Sequence, residues 1–369
     1  MTDFQAVYFV WMVATVIVTW ISPRQWQVDV VAISTVIFVA IYSPWSCFWL
    51  ISASLLTYLC ICISPTKKPA LIGVSIILIA VVFLVYKWLS PGADNTGAIL
   101  PVMLGLSYYT CRHIHILMEV YKGNIQTMSL RRYFHYQLFL PVLVVGPIHR
   151  YQNFQRQCER RRWDSVNLTT GFERILYGYA KVVVLGNWLL NHKLGGILEQ
   201  YAGDGFWGIF IISAKDWLYL YIEFSGYIDV ALGFSLLLGF HIEENFNHPL
   251  KARNLIDFWQ RWHITLSSWC KDYVFSPVQA KTRNQLLAVF AAMTVMGLWH
   301  ELSLYYFLWG FYHATGIALC RLYQLNDDPL RLSMLPAVLQ NAITRTATFT
   351  WLVAGMPVIT SILSFAGLG

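Results

Sequence analysis

Charge is scarce in this chain. Asp, Glu, Lys and Arg make up 12% of its 369 residues, about half of what a soluble domain carries. Together with 57% hydrophobic residues and a mean hydropathy of +0.51, that shortage excludes water as the main solvent. No long basic tail is present, so the net charge of +7 speaks to membrane topology and not to nucleic-acid binding. The seven cysteines include no CxxC pair; their odd number and their mostly apolar settings (Cys47, Cys60, Cys62, Cys111, Cys320) argue against a disulfide framework and against a zinc site. There is no internal repeat and no stretch that reads as a soluble domain, so residues 1–369 are expected to form a single integral membrane domain. The apolar run from Phe4 to Ser22 has no basic region ahead of it and is expected to be a retained first span.

What the chain does have is long apolar runs. About 20 such residues suffice for a helix to cross the hydrocarbon, and residues 4–22, 26–42, 45–64, 70–90 and 98–120 meet that length. Residues 133–149 hold "LPVLVVGPI", whose Pro141, Gly146 and Pro147 favour a re-entrant segment. Residues 206–240 carry Lys215, Asp216, Glu223 and Gly226 and are expected to be a broken helix, with one half failing to span. Residues 285–300, 304–320 and 347–367 complete an all-α polytopic membrane protein of roughly eleven transmembrane or re-entrant helices.

Loop charge sets the expected orientation. Arg24, Lys67, Lys68, Lys122, Arg131 and Arg132 fall in alternate loops, which places the N-terminus extracytoplasmic by the positive-inside rule. The cluster Arg150, Arg156, Arg160, Arg161 and Arg162 and the cations between residues 241 and 283 are then cytoplasmic. The first cluster reads as a solvated interface in contact with membrane lipids, with a phosphate-bearing donor as the second reading.

Against this apolar background, "DFWQRWHITLSSWCKDYVF" (257–275) concentrates tryptophan, histidine and charge. Alone it would suit an interfacial helix. Further on, "MGLWHE" ends an apolar run on His300, and an ionisable residue at membrane depth is a functional-site candidate. His313 reads instead as a satisfied core histidine. Lys215, Asp216, Glu223 and Asp229 read as mutual structural partners. No Gly-x-Ser-x-Gly elbow surrounds Ser267 or Ser268, so capping or packing is the expected role of those hydroxyls.

"ENFNHPLKARNLIDFWQRWHITLSSWCKDYVFSP" followed by "MGLWHE" resembles the membrane-bound O-acyltransferases, in particular the bacterial branch of alginate O-acetyltransferase and the D-alanyl-lipoteichoic acid transfer protein. "LPVMLGLSYYTCRHIHILMEVYKG", "VGPIHRYQNF" and "IEFSGYIDVALGFSLLLGF" resemble the same branch in the same order, so the similarity covers about residues 98–320. The resemblance implies helices ringed around a central catalytic tunnel, with His300 as catalytic histidine and His263 at a second motif position that is asparagine in many eukaryotic members. Trp259, Arg261, Trp262, Ser267, Trp269 and Trp299 are the expected substrate-binding residues around them. Two positions depart from the branch: Glu301 stands where glycine usually follows the histidine, and "FSP" is not followed by "LGG".

Residue chemistry supports the same activity. Acyl transfer from a thioester to a hydroxyl needs a base, and neutral histidine suits that task near pH 7. A donor aimed at the thioester oxygen, from His263, Trp262 Nε1 or a backbone N–H, would stabilise the transition state. The expected donor is acetyl-CoA or an acyl carrier protein, with no bound cofactor and no metal. The expected acceptor is a cell-envelope polysaccharide at a bacterial plasma or inner membrane, reached directly or through an extracytoplasmic acyltransferase partner. D-alanyl transfer to teichoic acid is the alternative within the family. A transporter or flippase that uses broken helices as a gate is the alternative of another class.

Overall fold

The structure is a computed structural model that describes residues 3–63, 69–89, 103–125, 128–201, 203, 205–326 and 334–368. Within them the secondary structure is helical, and the only β-type pairing is an isolated bridge between Phe246 and Trp262. The chain packs as two compact units, residues 1–180 with 226–243 and residues 181–225 with 244–369.

In the first unit the apolar runs form α1 (Asp3–Ile21), α2 (Gln27–Tyr42), α3 (Pro44–Ile63) and α4 (Pro69–Leu89). α1, α3 and α4 are each long and apolar enough to cross a membrane, and α2 is so together with the turn Arg24–Trp26 ahead of it. The expected span at 98–120 forms α5 (Leu106–Tyr121), whereas residues 98–102 lie outside the described ones. The segment expected to be re-entrant forms a short α6 (Leu130–Gln137), capped by Ser129. It then runs irregularly through residues 138–149. That irregular backbone is answered from inside: Thr35 Oγ1 donates to the Leu138 carbonyl at 3.0 Å and accepts from Leu140 N–H at 3.1 Å, while Tyr136 Oη donates to the His149 carbonyl at 2.8 Å. Without such partners, buried non-helical backbone would be unsatisfied.

α7 (Tyr151–Arg160) follows, and the arginines around it do not all behave as a solvated interface. Arg161 is buried: it bonds the Leu238 carbonyl at 2.8 Å and Gln27 Oε1, and its guanidinium lies 4.6 Å from the Trp20 ring centroid. Its delocalised, weakly hydrated charge can be held by carbonyls and an aromatic face. The charge count could not show that.

The sequence reading also missed a long helical stretch. α8 (Ser165–Tyr179) continues through a wide-turn segment (Ala180–Leu194) into α9 (Gly195–Tyr201). Its apolar residues are interrupted by Glu173, Arg174, Lys181, Asn187 and Lys193, which masks the run. The expectation of a broken helix at 206–240 is overturned. α10 (Phe206–Leu237) is one continuous 32-residue helix. Three of its four charges are paired, Lys215 with Asp216 and Asp229 with Arg174 of α8 at 2.8 Å, whereas Glu223 joins neither pair. Paired charges do not break a helix, and Gly226 serves close packing, since a Cβ on Gly178 would lie 2.6 Å from the Gly226 carbonyl oxygen.

The second unit holds α11 (Leu255–Trp259), α12 (Ile264–Cys270), a wide-turn segment (Lys271–Phe275), α13 (Ser276–Thr282), α14 (Gln285–His300), α15 (Leu304–Leu325) and α16 (Ala337–Phe365). α16 begins ten residues before the expected 347, because polar Gln340, Asn341 and Arg345 extend it beyond its apolar part. Asn254, Asn284 and Ser303 cap α11, α14 and α15 with side-chain oxygens. α14 and α15 run antiparallel and touch through backbone. A Cβ on Gly297 would lie 2.2 Å from the Tyr306 carbonyl oxygen, and one on Gly310 would lie 2.5 Å from that of Met293. Small residues at a helix crossing permit that approach. The positions at 285–300 thus face 304–320 as a tight hairpin, with His300 at its closed end.

Candidate active site

His263 and His300 come together in the second unit from two different elements. His300 is the last residue of α14, half-buried, with Tyr306 stacked on its ring at 5.8 Å and Trp309 edge-on at 5.6 Å. His263 precedes α12 and is 3% exposed. Both imidazoles sit edge-to-face on one indole: Trp299 lies 4.8 Å from the His300 ring and 5.9 Å from that of His263, with interplanar angles of 76° and 81°. Phe224, from α10, closes the other side of His263 at 4.9 Å.

The backbone at His263 is unusual. Its φ of 44° and ψ of 50° place it in the left-handed region, a conformation that few non-glycine residues adopt. Residues 245–247 impose it. Asn245, fully buried, accepts through Oδ1 from Thr265 N–H at 3.1 Å and Thr265 Oγ1 at 2.6 Å, and its carbonyl accepts from Ile264 N–H at 3.0 Å. Asn247 N–H donates to the Arg261 carbonyl at 2.9 Å. Bracketed on both sides, the residue between has one conformation left, and strain of this kind marks places where the surroundings over-determine a functional side chain. Burial pushes the His263 pKa down to about 3, with the neighbouring His300 acting in the same direction, so His263 is neutral near pH 7. Its Nδ1 is buried without a partner.

The remaining expected site residues divide. Trp299 belongs to the histidine pair. Trp259 is 8% exposed and packs edge-on to Trp309 at 5.8 Å and His313 at 5.3 Å. Ser267 Oγ donates to the Trp262 carbonyl at 3.1 Å, a local bond back to the preceding turn and not a helix cap, and also lines a cavity. Trp262 forms a three-ring cluster with Phe258 and Trp217, each 5.5 Å from it, and Trp269 packs on Tyr273 at 5.4 Å. Arg261 is engaged elsewhere, donating to Asp257 at 2.6 Å and to the Asn247 carbonyl at 3.3 Å, which fixes the loop that carries His263. Residue spacing did not reveal Asn245, Trp309 or Tyr306. The lone signal for Trp309 is the aromatic density of "LYYFLWGFYH".

A cavity of about 340 Å³ runs along α14. At one end are Lys271, Gln285, Leu286 and Arg321; at the other are Met296, one turn before His300, with Trp259 and Ser267. Met293, Val289, Ala292 and Ile317 make its wall apolar. It has the shape of a path for an extended apolar or amide-bearing arm, with cations at the mouth; its lining reaches Met296 and stops short of both histidines. Glu301 is exposed immediately beyond His300, at the end of α14 away from that mouth.

Comparison with known proteins identifies the family. Residues 67–326 match the model of the membrane-bound O-acyltransferase family. A probable alginate O-acetylase of Pseudomonas aeruginosa is 31% identical over 250 residues, covering 66% of this chain and 47% of that protein. A teichoic acid D-alanyltransferase of Bacillus subtilis is 32% identical over 227 residues (58% and 57%), and a peptidoglycan O-acetyltransferase of Helicobacter pylori is 28% identical over 287 residues (68% and 53%). The chain therefore spans about half to three-fifths of the length of these relatives. With its multi-pass helical architecture and a family match over residues 67–326, the chain belongs to the membrane-bound O-acyltransferase family.

Proposed function

We propose that this protein is an O-acyltransferase that carries a short acyl group, acetyl, from a cytoplasmic thioester to a hydroxyl on the far side of the membrane, on a cell-envelope polysaccharide or on a partner protein that completes the transfer. The observation that supports it most is the pair of imidazoles packed on Trp299, one turn along α14 from the Met296 end of an apolar cavity whose mouth carries Lys271 and Arg321. A phosphate-bearing donor, acetyl-CoA or an acylated carrier protein, would enter at the cations and extend its pantetheine arm along Val289 and Met293.

In the reaction, His300 takes the proton of the acceptor hydroxyl as its oxygen bonds the thioester carbon. Neutral His263 donates to the carbonyl oxygen as charge develops there. The carbon–sulfur bond then breaks, and the leaving thiolate takes the proton from the His300 imidazolium. Glu301, exposed beside the base, gives the acceptor side a carboxylate that disfavours polyanionic acceptors relative to neutral ones.

The test is acetyl transfer from radiolabelled acetyl-CoA in proteoliposomes, paired with mass spectrometry of envelope polymers from cells with and without the protein. His300→Ala is expected to lower transfer by about a hundredfold to ten thousandfold with insertion intact. A fully active His300→Ala protein would sink the mechanism. A carrier-linked D-alanyl thioester as the sole accepted donor would move the reading to alanyl transfer.

A further inference from the structure

The first unit contains a buried cation that this chemistry does not use. Arg112, in α5, is 1% exposed, and its one hydrogen bond is a long 3.4 Å contact from Nη1 to the Tyr136 carbonyl. Nε and Nη2 have no partner. Those two nitrogens form one edge of the guanidinium, the fork that holds the two oxygens of a carboxylate side by side. Among the described residues, the groups that act on Arg112 are three tyrosines and a cysteine, with no acid among them.

Three further groups within its electrostatic reach are also unfilled. Tyr109 and His113 are each 1% exposed, the first with a hydroxyl and the second with an Nε2 that has no partner; His149, equally buried, has only the Pro147 and Tyr136 carbonyls near its ring, neither in good hydrogen-bond geometry. The nearby Gln137 is different: its amide nitrogen is spent on His113 Nδ1 at 3.2 Å and Tyr133 Oη at 3.3 Å, and its free oxygen is an acceptor that cannot serve an anion. A buried guanidinium without a counter-charge is costly, and so is each unfilled donor around it. One added species relieves several of these at once.

We infer that Arg112, Tyr109 and His149 form an internal binding site for a small monocarboxylate, of the size of formate or acetate. Its oxygens take the Nε and Nη2 protons, and the Tyr109 hydroxyl and a His149 N–H complete the shell. One guanidinium balances one negative charge, so a phosphate dianion would leave charge uncompensated in a buried place. Tyr133, Tyr136 and Phe139, each fully buried, pack around Arg112 and His149, so the smallest carboxylates are the ones to test. No residue of this site takes part in the proposed acyl transfer, so either reading can fail without the other.

The test uses the full chain in detergent. Protein desalted into carboxylate-free buffer is denatured and the released anions are read by ion chromatography. In parallel, its unfolding midpoint is followed with added formate, acetate or chloride at constant ionic strength. The expected result is release of one monocarboxylate per chain, or, from protein stripped of it, a midpoint that rises by several degrees with millimolar formate or acetate and much less with chloride. Arg112→Lys, which keeps the charge and loses the fork, should abolish both the release and the carboxylate-specific shift, as should Arg112→Met. Should the methionine variant fail to fold, the lysine variant and the wild-type titration decide. Absence of both release and shift in the wild type, a chloride response equal to that of acetate, or an unchanged carboxylate response in Arg112→Lys would each overturn the assignment.

Discussion

Gly297→Ala tests how closely the position of His300, the proposed base, depends on the α14–α15 contact. The added Cβ would lie 2.2 Å from the Tyr306 carbonyl oxygen and 3.2 Å from its carbon. An ordinary carbon–oxygen contact is about 3.3 Å, so the two helices must part by about 1 Å at that level. His300 is three residues further along α14, and Tyr306 is one of the rings stacked on it. The displacement therefore falls on the base itself. A misplacement of about 1 Å costs on the order of a hundredfold in rate, and overpacking costs about 1–3 kcal/mol in stability. The assay is kcat for acetyl transfer in proteoliposomes beside the unfolding midpoint in detergent. Gly310→Ala, with its Cβ 2.5 Å from the Met293 carbonyl oxygen, should behave alike, whereas Gly73→Ala, which meets nothing within 4 Å in α4, should change neither quantity for the worse. Wild-type kcat and midpoint in Gly297→Ala would refute the claim that this backbone contact positions His300.

Other expectations follow from the same site. His263→Asn, which keeps a side-chain donor, should retain more activity than His263→Ala, and equal loss in both would mean that an imidazole is required there. In the unfolded chain His263 titrates near its ordinary 6.5 and in the folded protein at about 3, so between these values the unfolded state binds the extra proton. Its contribution to stability is full above about pH 6.5 and shrinks as the pH falls towards 3, and His263→Asn should flatten the midpoint-against-pH curve in that window. Asn245→Ala strips two hydrogen bonds from Thr265 and should cost about 2–4 kcal/mol while lowering kcat more than it raises donor KM. At the two ends of α14, Arg321→Ala should raise donor KM with little change in kcat, and Glu301→Gly should alter acceptor KM alone. The reverse assignment would show that the mouth and the acceptor side have been exchanged.

How much of this was legible in sequence differs by element. α1 to α4 were readable because each is an uninterrupted apolar run, which constrains a chain in lipid more than any other pattern. The stretch from Ser165 to Tyr201 was not, because its charges and amides break the run without breaking the helix. The same confusion of polarity with discontinuity turned α10 into two halves on paper. His263 and His300 were findable from motif and from the cost of an ionisable group at depth. Their common neighbour Trp299 was expected at the site, yet its contact with both depends on how α12 packs against α14. Asn245 gave no signal because its role is to hold backbone atoms twenty residues away, and Trp309 was one aromatic among many.

The left-handed backbone at His263 sets a rule for what the position can accept. Two filters act there together. The main chain admits glycine, asparagine, aspartate and histidine far more readily than other residues, and the proposed oxyanion role admits only a neutral side chain that donates. Glycine has no side chain and ionised aspartate donates nothing, so the overlap of the two filters is histidine and asparagine, the pair that the family resemblance presents at this motif position. The alternation between them is then a property of the φ angle as much as of the chemistry. A substitution that keeps a donor but not the conformation, such as His263→Gln, should prove worse than one that keeps both.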